Sequence, residues 1–488
     1  MRLFGLNARN AKLAQGTQRV LSSHKITILS YTRNNITDTI CAIATASGVG
    51  AIGVIRVSGN EAISLVNKCF AGKNLEQVQS HTLHLGKLMD GETIVDEVLA
   101  SVFIEPKSYT GQNSIELSCH GSPYIQQRIL QVLVQNGARL AQPGEFTLRA
   151  FLNKKLDLSQ AEAVADLIAS NSDESHRTAL KQMRGGFSQQ IALLKEKLVN
   201  FASLLELELD FSEEDVEFAS RPELKDLVQN IHKLILDLVQ TFKYGNAIKN
   251  GIPTVIVGKP NSGKSTLLNA LVNDERAIVS AIAGTTRDTI EEAFVIKGIL
   301  FRLIDTAGIR EHTADSIESI GIERTFDKIK KASIVIYLFD ALTTTADDLS
   351  NELKQFAGLE SIVIPVGNKI DLGNETSIKE KFNNFKEAIF ISSKEKMNMD
   401  LLTQRLMQII ESDKVNNDVI ITNLRHFEAL KLTAEALENV LSSMEMQRSG
   451  ELLAFDIRKA VFHLGEIVGD ITTDDLLENI FSKFCIGK

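Results

Sequence analysis

Residues Thr254-Val255-Ile256-Val257-Gly258-Lys259-Pro260-Asn261-Ser262-Gly263-Lys264-Ser265-Thr266 run directly into Leu267-Leu268-Asn269-Ala270-Leu271. The stretch reads as a short apolar strand, a glycine-flanked loop and a helix. The loop fits G-x-x-x-x-G-K-[ST], in which several backbone N–H groups turn toward one anionic centre with a helix N-terminus behind them. Gly258 and Gly263 permit backbone conformations that a Cβ hinders. In this pattern Lys264 reaches the outer phosphates and Ser265 offers its hydroxyl to Mg²⁺, with Asn261, Ser262, Gly263 and Thr266 completing the phosphate contacts. Such a string also arises by chance, but here the required strand precedes it and the required helix follows.

Four more signals follow in order. Gly284-Thr285-Thr286-Arg287-Asp288 lies in a stretch without clear periodicity, and a loop bearing Thr can lend a hydroxyl to Mg²⁺ when a γ-phosphate is bound. In Phe301-Arg302-Leu303-Ile304-Asp305-Thr306-Ala307-Gly308 a strand delivers Asp305 to the metal side, and the Gly308 N–H is set to contact the γ-phosphate. Ile334 to Asp340 is apolar up to its last residue, the mark of a parallel strand buried on both faces. It is followed by Ile362-Val363-Ile364-Pro365-Val366-Gly367-Asn368-Lys369-Ile370-Asp371. The Asp371 carboxylate can accept from both N1–H and the 2-amino group of guanine, and adenine has no such donor pair. Phe390-Ile391-Ser392-Ser393-Lys394 would close over the base. Five motifs in this order, each at a strand end, resemble the Ras-like translation-factor class of GTPases. The expectation is a parallel sheet with helices on both faces and the ligand at the carboxyl ends of the strands.

One position departs from the Ras pattern. Ras-type proteins place Gln directly after Asp-x-x-Gly to orient the attacking water, and here that residue is Ile309. Another group must hold the water, and an arginine from a partner or a bound cation must supply charge. The Asn261 amide oxygen is a candidate cation ligand. Glu318 reads either as a water-orienting carboxylate or as an exposed residue at a helix start.

A chain of 488 residues is too long for one core, so about three domains are expected. Apolar residues at 44% and charged residues at 24% are ordinary globular composition. No apolar run approaches the roughly 18 residues of a membrane span, which argues against a membrane partner. With a net charge of −9, any RNA contact needs a local basic patch. The four cysteines are scattered, which fits neither a zinc site nor a disulfide framework and points to a reducing compartment.

The expected organisation is a basic extension at 1–35, a mixed α/β domain at 36–153, helices at 154–249, the nucleotide domain at 250–412 and further helices at 413–488. Residues 1–35 carry no Asp or Glu. They read either as an organelle transit peptide or as a non-structural extension. Within 36–153, strands are expected from Thr39 to Val57 with a turn between, at Val98–Ile104 and at Ser114–Ser118, with helices over 61–70 and 124–135. Arg56, Glu116 and Lys155, taken singly, read as solvated strand or loop residues. The run from Leu158 to Met183 is helical, with Ser159 and Glu162 spaced as a capping box. Acidic residues from Glu206 to Glu217 read as a metal site or a solvated helix end. The 154–249 helices cannot close a core alone and need the C-terminal helices. At the end, Cys485-Ile486-Gly487-Lys488 is unsuitable for prenylation and suggests an accessible thiol.

Taken together, the chain resembles the MnmE (TrmE) family of tRNA uridine-5-carboxymethylaminomethyl modification GTPases over residues 38–488. The marks are Gly144-Glu145-Phe146-Thr147-Leu148-Arg149-Ala150-Phe151-Leu152-Asn153, Lys155-Leu156-Asp157-Leu158-Ser159-Gln160-Ala161-Glu162-Ala163, the Gly284–Asp288 motif and the terminal Cys-Ile-Gly-Lys. Gln112-Asn113 departs from the Glu-Asp usual there. The resemblance implies a Ras-like P-loop GTPase domain inserted in an all-helical domain, after an α/β N-terminal domain that binds folate and dimerises. Arg56, Glu116, Lys155 and Lys488 match contacts to a 5-formyltetrahydrofolate-type cofactor. GTP contacts extend through Ser280, Ala281, Ile282, Ala283, Gly284, Thr285 and Thr286, through Asp305, Thr306, Ala307 and Gly308, through Asn368, Lys369, Ile370 and Asp371, and through Ser392, Ser393 and Lys394. K⁺ would be held by Asn261, Ser280, Ile282 and Thr285, which answers the Ile309 departure, and Mg²⁺ by Ser265 and Thr286. Glu318 matches the water-orienting glutamate, and Cys485 matches a cysteine that matters for modification.

The implied function is a K⁺-dependent GTPase. As a homodimer, and with an FAD-dependent partner of the MnmG (GidA) type in a heterotetramer or larger assembly, it modifies tRNA. The reaction installs an aminomethyl-type group at C5 of the wobble uridine from a folate one-carbon unit. The implied location is the cytoplasm, or the mitochondrion if 1–35 is a transit peptide. A competing reading is a K⁺-activated RNA-binding switch in ribosome assembly, which would need neither the terminal Cys-Ile-Gly-Lys nor the folate-type residues.

Overall fold

A computed structural model describes residues 38–210, 220–274, 292–304, 329–411 and 419–487. They fall into two compact units, one of residues 38–165 with 468–487 and the other within 166–467. The extension 1–35 lies outside the described residues.

The first unit contains strands β1 (Ile40–Ile43), β2 (Ile52–Ser58), β3 (Phe70–Ala71), β4 (Thr82–Asp90), β5 (Thr93–Phe103), β6 (Ser114–His120) and β7 (Arg139–Leu140). They form one sheet in the order β3-β4-β5-β6-β2-β1-β7. Every neighbouring pair is antiparallel except β1 with β7. Side chains alternate between faces along a strand. Ile55, Val57, Val98, Ala100, Val102, Ile115 and Leu117 therefore enter one core, which also takes Ile63, Leu65, Ile129 and Val132 from helices Ala62–Cys69 and Pro123–Gln135. The same alternation turns Arg56 and Glu116 to the other face, where the β2–β6 register sets them directly opposite each other.

The cap of helix Leu158–Ala169 lies two residues before the expected one. Asp157 Oδ1 accepts from the Gln160 N–H, and Gln160 Oε1 accepts from the Asp157 N–H, each at 2.9 Å. The capping box is thus Asp157/Gln160, and Ser159 and Glu162 lie inside the helix, because Asp caps as well as Ser. The helical run also breaks before Met183: Ser172 caps a second helix, Asp173–Met183, in a reciprocal pair with Ser175.

In the second unit, helix Leu424–Glu445 lies along helix Arg221–Gln240, so the central helices do find C-terminal partners. Phe242 stacks on Phe427 at 4.4 Å, and a Cβ on Gly245 would meet the Ile421 carbonyl at 2.1 Å. Of the acidic run, Glu206 and Glu208 pair with Arg458 and Arg221 at 2.6 and 2.7 Å.

The sheet of this unit contains β8 (Ile252–Val257), β9 (Glu292–Ile296), β10 (Ile299–Leu303), β11 (Ile334–Asp340), β12 (Ile362–Asn368) and β13 (Ile389–Phe390), in the order β13-β12-β11-β8-β10-β9. It is parallel except at its edge, where β9 runs antiparallel to β10. The wholly parallel expectation is corrected there by a two-residue turn, Lys297-Gly298, with φ of 47° and 81°. Two positive φ values give the turn a twist that matches the paired strands. Central β11 is apolar from Ile334 to Phe339 because both faces are covered: Ile334, Ile336 and Leu338 enter one core, and Tyr337 and Phe339 another. Among the described residues no helix is long and apolar enough to cross a membrane.

Candidate functional site

The phosphate-type loop leaves the carboxyl end of β8 and ends in helix Lys264–Asp274. Its glycines are sterically required. A Cβ on Gly258 would lie 2.0 Å from the Leu338 carbonyl, and one on Gly263, at φ +101°, would lie 2.2 Å from Asn368 Nδ2. Asn261 is exposed at φ +63°, in the left-handed region that Asn tolerates. Lys264 Nζ donates to the carbonyls of Gly258 and Lys259 at 2.8 and 2.9 Å, and burial pushes its pKa down. Ser265 is half-buried and Thr266 exposed in the first turn. The Ser262 hydroxyl is buried without a hydrogen-bond partner among the described residues. A loop whose backbone is held open by space that a Cβ would fill, with a desolvated ammonium across it, fits an anionic ligand.

Asn368, the last residue of β12, ties this loop to the one after β13. Its Nδ2 donates to the Ser262 carbonyl at 2.9 Å, and its Oδ1 accepts from the Ser393 N–H at 2.9 Å and the Ser393 hydroxyl at 3.0 Å. Lys369, at φ +69°, pairs with Asp340 at 2.8 Å. Burial raises the Asp340 carboxyl, but the hydrogen bond from Lys369 and those from the Leu342 and Thr343 N–H groups hold it below its ordinary value. Ile370 is buried. Asp371 is half-buried, and among the described residues its carboxylate has no hydrogen bond or ion pair. Ser392 is buried and accepts from the Glu395 N–H at 3.1 Å, while Lys394 is exposed. The sequence reading missed Glu352, which pairs with Lys259 of the loop and accepts from the Tyr337 hydroxyl.

In the first unit, two of the residues that read singly as solvated charges form a pair. Arg56 Nε and Nη2 both reach Glu116 Oε1, at 2.9 and 2.8 Å. Its Nη1 donates to the Gly487 carbonyl at 3.2 Å. Tyr109 and Phe146 place their rings 5.3 and 5.6 Å from the guanidinium carbon. The Tyr109 hydroxyl is hydrogen-bonded to Thr147 at 2.8 Å, and burial raises its pKa. Lys155 is exposed and donates to the Pro106 carbonyl at 3.1 Å, on the loop that also carries Tyr109. Cys485 is an exposed free thiol. The residues around Arg56 come from four separate stretches of chain, and nothing local in the sequence signals their meeting.

The Gly144–Asn153 stretch has a structural reason. Arg149, 1% exposed, contacts Asp38 at 2.5 Å and Glu145 at 2.9 Å, and Arg139 contacts the same two carboxylates at 2.8 and 2.7 Å. Arg149 Nη1 also donates to Gln112 Oε1 at 3.2 Å, so the Gln112 departure faces this buried network.

Ser280, Ala281, Ile282, Ala283, Gly284, Thr285, Thr286, Asp305, Thr306, Ala307, Gly308, Glu318 and Lys488 lie outside the described residues. Among the described residues no group of three or more His, Cys, Asp or Glu is placed to hold a metal.

Residues 39–155 match the family described as GTP-binding protein TrmE N-terminus, and residues 158–485 match the MnmE helical domain family. The chain is 54% identical over 458 residues to the tRNA modification GTPase MnmE of Cytophaga hutchinsonii, covering 94% of this chain and 99% of that protein. It is 51% identical over 460 residues to the protein of that name from Flavobacterium psychrophilum, covering 92% and 99%. It is 52% identical over 465 residues to the one from Bacteroides fragilis strain YCH46, again covering 92% and 99%.

Proposed function

The chain belongs to the MnmE family of tRNA modification GTPases and is a GTP hydrolase, and we propose that its GTP turnover is K⁺-dependent and drives wobble-uridine modification. In this reading the protein works in the cytoplasm as a homodimer with an FAD-dependent partner. It installs an aminomethyl or carboxymethylaminomethyl group at C5 of tRNA wobble uridine from a folate one-carbon unit. The division at 36–153, 154–249, 250–412 and 413–488 then separates cofactor binding, the helical scaffold in two parts and GTP turnover.

For GTP, Lys264 and the N–H groups of the Gly258–Ser265 loop would hold the phosphates. Asp371, with no partner of its own among the described residues, would take the guanine edge, and Asn368 would keep the two loops in register. Ser265 and Thr286 would hold Mg²⁺. Asn261, exposed in the loop, would hold K⁺ with Ser280, Ile282 and Thr285. The cation supplies positive charge beside the phosphates, where an arginine finger otherwise would. Glu318 would orient the water that Ile309 cannot.

For folate, the supporting observation is the Arg56–Glu116 pair. Two of the five guanidinium N–H donors go to Glu116 and one to Gly487, which leaves two. Both contacts to Glu116 fall on Oε1 and leave Oε2 to accept. Adjacent donors and an acceptor suit a ring edge with an N–H beside a carbonyl, as in a pterin. Lys155 and Lys488 would meet the anionic remainder.

This pair carries the reading, because a GTPase switch without chemistry has no use for it. Nucleoside analysis of tRNA from a deletion strain carrying the wild-type gene or Glu116→Gln tests it. The modified wobble uridine should return with wild type and not with Glu116→Gln. Wobble uridines unchanged by the deletion, together with defective ribosomal particles, would favour the ribosome-assembly switch.

A further inference from the structure

We propose that residues 481–487 form a docked arm that positions the Arg56–Glu116 pair and the Cys485 thiol together, with Gly144 and Gly487 as its positioning residues. The inference rests on the ligand reading of Arg56 and Glu116 above and adds what holds them in place. Three attachments define the arm. Phe481 and Phe484, 3% and 9% exposed, pack against Leu158 and Ala161. Gly144, at φ +68°, gives its N–H to the Cys485 carbonyl at 3.5 Å, and a Cβ there would stand 2.5 Å from the Phe481 carbonyl. Gly487, at φ +93°, lies so close to β1 that a Cβ would stand 2.3 Å from the Ile43 carbonyl.

Between these attachments Cys485 and Ile486 face outward, Ile486 being 60% exposed. The arm therefore presents a thiol from a backbone fixed on both sides. At its end the Gly487 carbonyl also accepts from Arg56 Nη1, on the edge of the guanidinium that Glu116 leaves free. Glu116 alone holds the guanidinium along one edge. With Gly487 on the opposite edge and rings on its flanks, the remaining N–H donors point in fixed directions. Loosening the arm should blunt ligand recognition at Arg56 and release the thiol in the same step.

The other three cysteines make the thiol readable in the intact protein. Cys41, Cys69 and Cys119 are 0–4% exposed, and burial pushes their thiols up to about 12, 11 and 11. A thiol-specific disulfide reagent applied to the native chain thus reports Cys485. Gly144→Ala tests the proposal without touching any residue assigned to ligand, phosphate or metal, and Phe484→Ser loosens the arm from its other side. Affinity for 5-formyltetrahydrofolate should fall about five- to tenfold, the cost of a side chain at a positive φ or a lost anchor. The Cys485 reaction rate should shift by at least about twofold, a change of roughly 0.4 kcal/mol in its barrier. GTP hydrolysis by the same full-length variants should stay at the wild-type rate.

If both variants bind the folate within twofold of wild type and their thiols react at the wild-type rate, the arm has no positioning role. If wild type itself does not bind the folate, the ligand reading fails, and the thiol rate alone decides whether the arm is docked as described.

Discussion

The side-chain amide of Asn368 donates to the main-chain carbonyl of Ser262 at 2.9 Å while its oxygen accepts twice from Ser393. One buried side chain, 3% exposed, thus sets the spacing between the loop after β8 and the loop after β13. Asn368→Asp would point a carboxylate oxygen at the Ser262 carbonyl. Each buried group left unpaired costs about 1–3 kcal/mol, so GTP and GDP affinity should both fall about 10- to 100-fold. Fluorescent-nucleotide titration reads this, and affinity within threefold of wild type would show that the bridge is dispensable.

In the proposed site Asp371 would govern base choice by hydrogen-bond polarity. Asn in its place offers a donor where xanthine presents a carbonyl and guanine an amino group. Asp371→Asn should lower GTP affinity about 100-fold or more and make xanthosine triphosphate the better substrate. Competition between the two nucleotides measures the reversal, and retained guanine preference would remove Asp371 from the base site.

Turnover should depend on the monovalent ion. Replacing K⁺ by Na⁺ at constant ionic strength should slow GTP hydrolysis about tenfold or more, because the smaller ion suits ligands spaced for K⁺ poorly and leaves the charge beside the phosphates less often in place. Asn261→Ala should abolish the difference between the ions while leaving GDP binding near wild type. Equal wild-type rates in the two salts would contradict the assignment.

The Arg139–Asp38–Arg149–Glu145 network ties stability to pH. Burial raises both carboxyls, but hydrogen bonds from Arg139, followed by Arg149 at Asp38 and by the Gln142 N–H and then Arg149 at Glu145, outweigh it and hold both below the ordinary range. Depressed folded-state pKa values mean that the stabilisation is full above the unfolded value of about 4 and is lost as pH falls through the folded values. Arg149→Met should cost about 3 kcal/mol at pH 7, by leaving Glu145 short of a partner in a buried site. It should also flatten the decline between about pH 5 and pH 2. Chemical denaturation across that range tests both, and a variant parallel to wild type at every pH would assign the network no net role.

Much of the second unit was legible, because each motif there is a local string whose spacing is set by one loop. Its hairpin edge was not read, although Lys297-Gly298 between Phe294-Val295-Ile296 and Ile299-Leu300-Phe301 carries the signal for a two-residue turn. Strand β4 escaped for another reason. Its apolar Leu83 and Leu85 face outward, 60% and 70% exposed, so the alternation does not mark a core face. The cap of helix Leu158–Ala169 was misplaced because Asp157 and Ser159 are both good caps, and only the partner at Gln160 decides between them. The Arg56 site and the Arg149 network were beyond local reading, since their members come together through sheet register and distant turns.

The β9–β10 hairpin has a mechanical consequence. Glu292 and Leu303 pair at its open end, so the chain enters and leaves the hairpin at neighbouring points. Its tip rests against the start of helix Asp173–Met183, where a Cβ on Gly298 would meet the Glu174 side chain at 3.2 Å. Two hydrogen-bonded strands move as one stiff body, so a tilt at the Glu292–Leu303 end of the hairpin would reach the helix as a push.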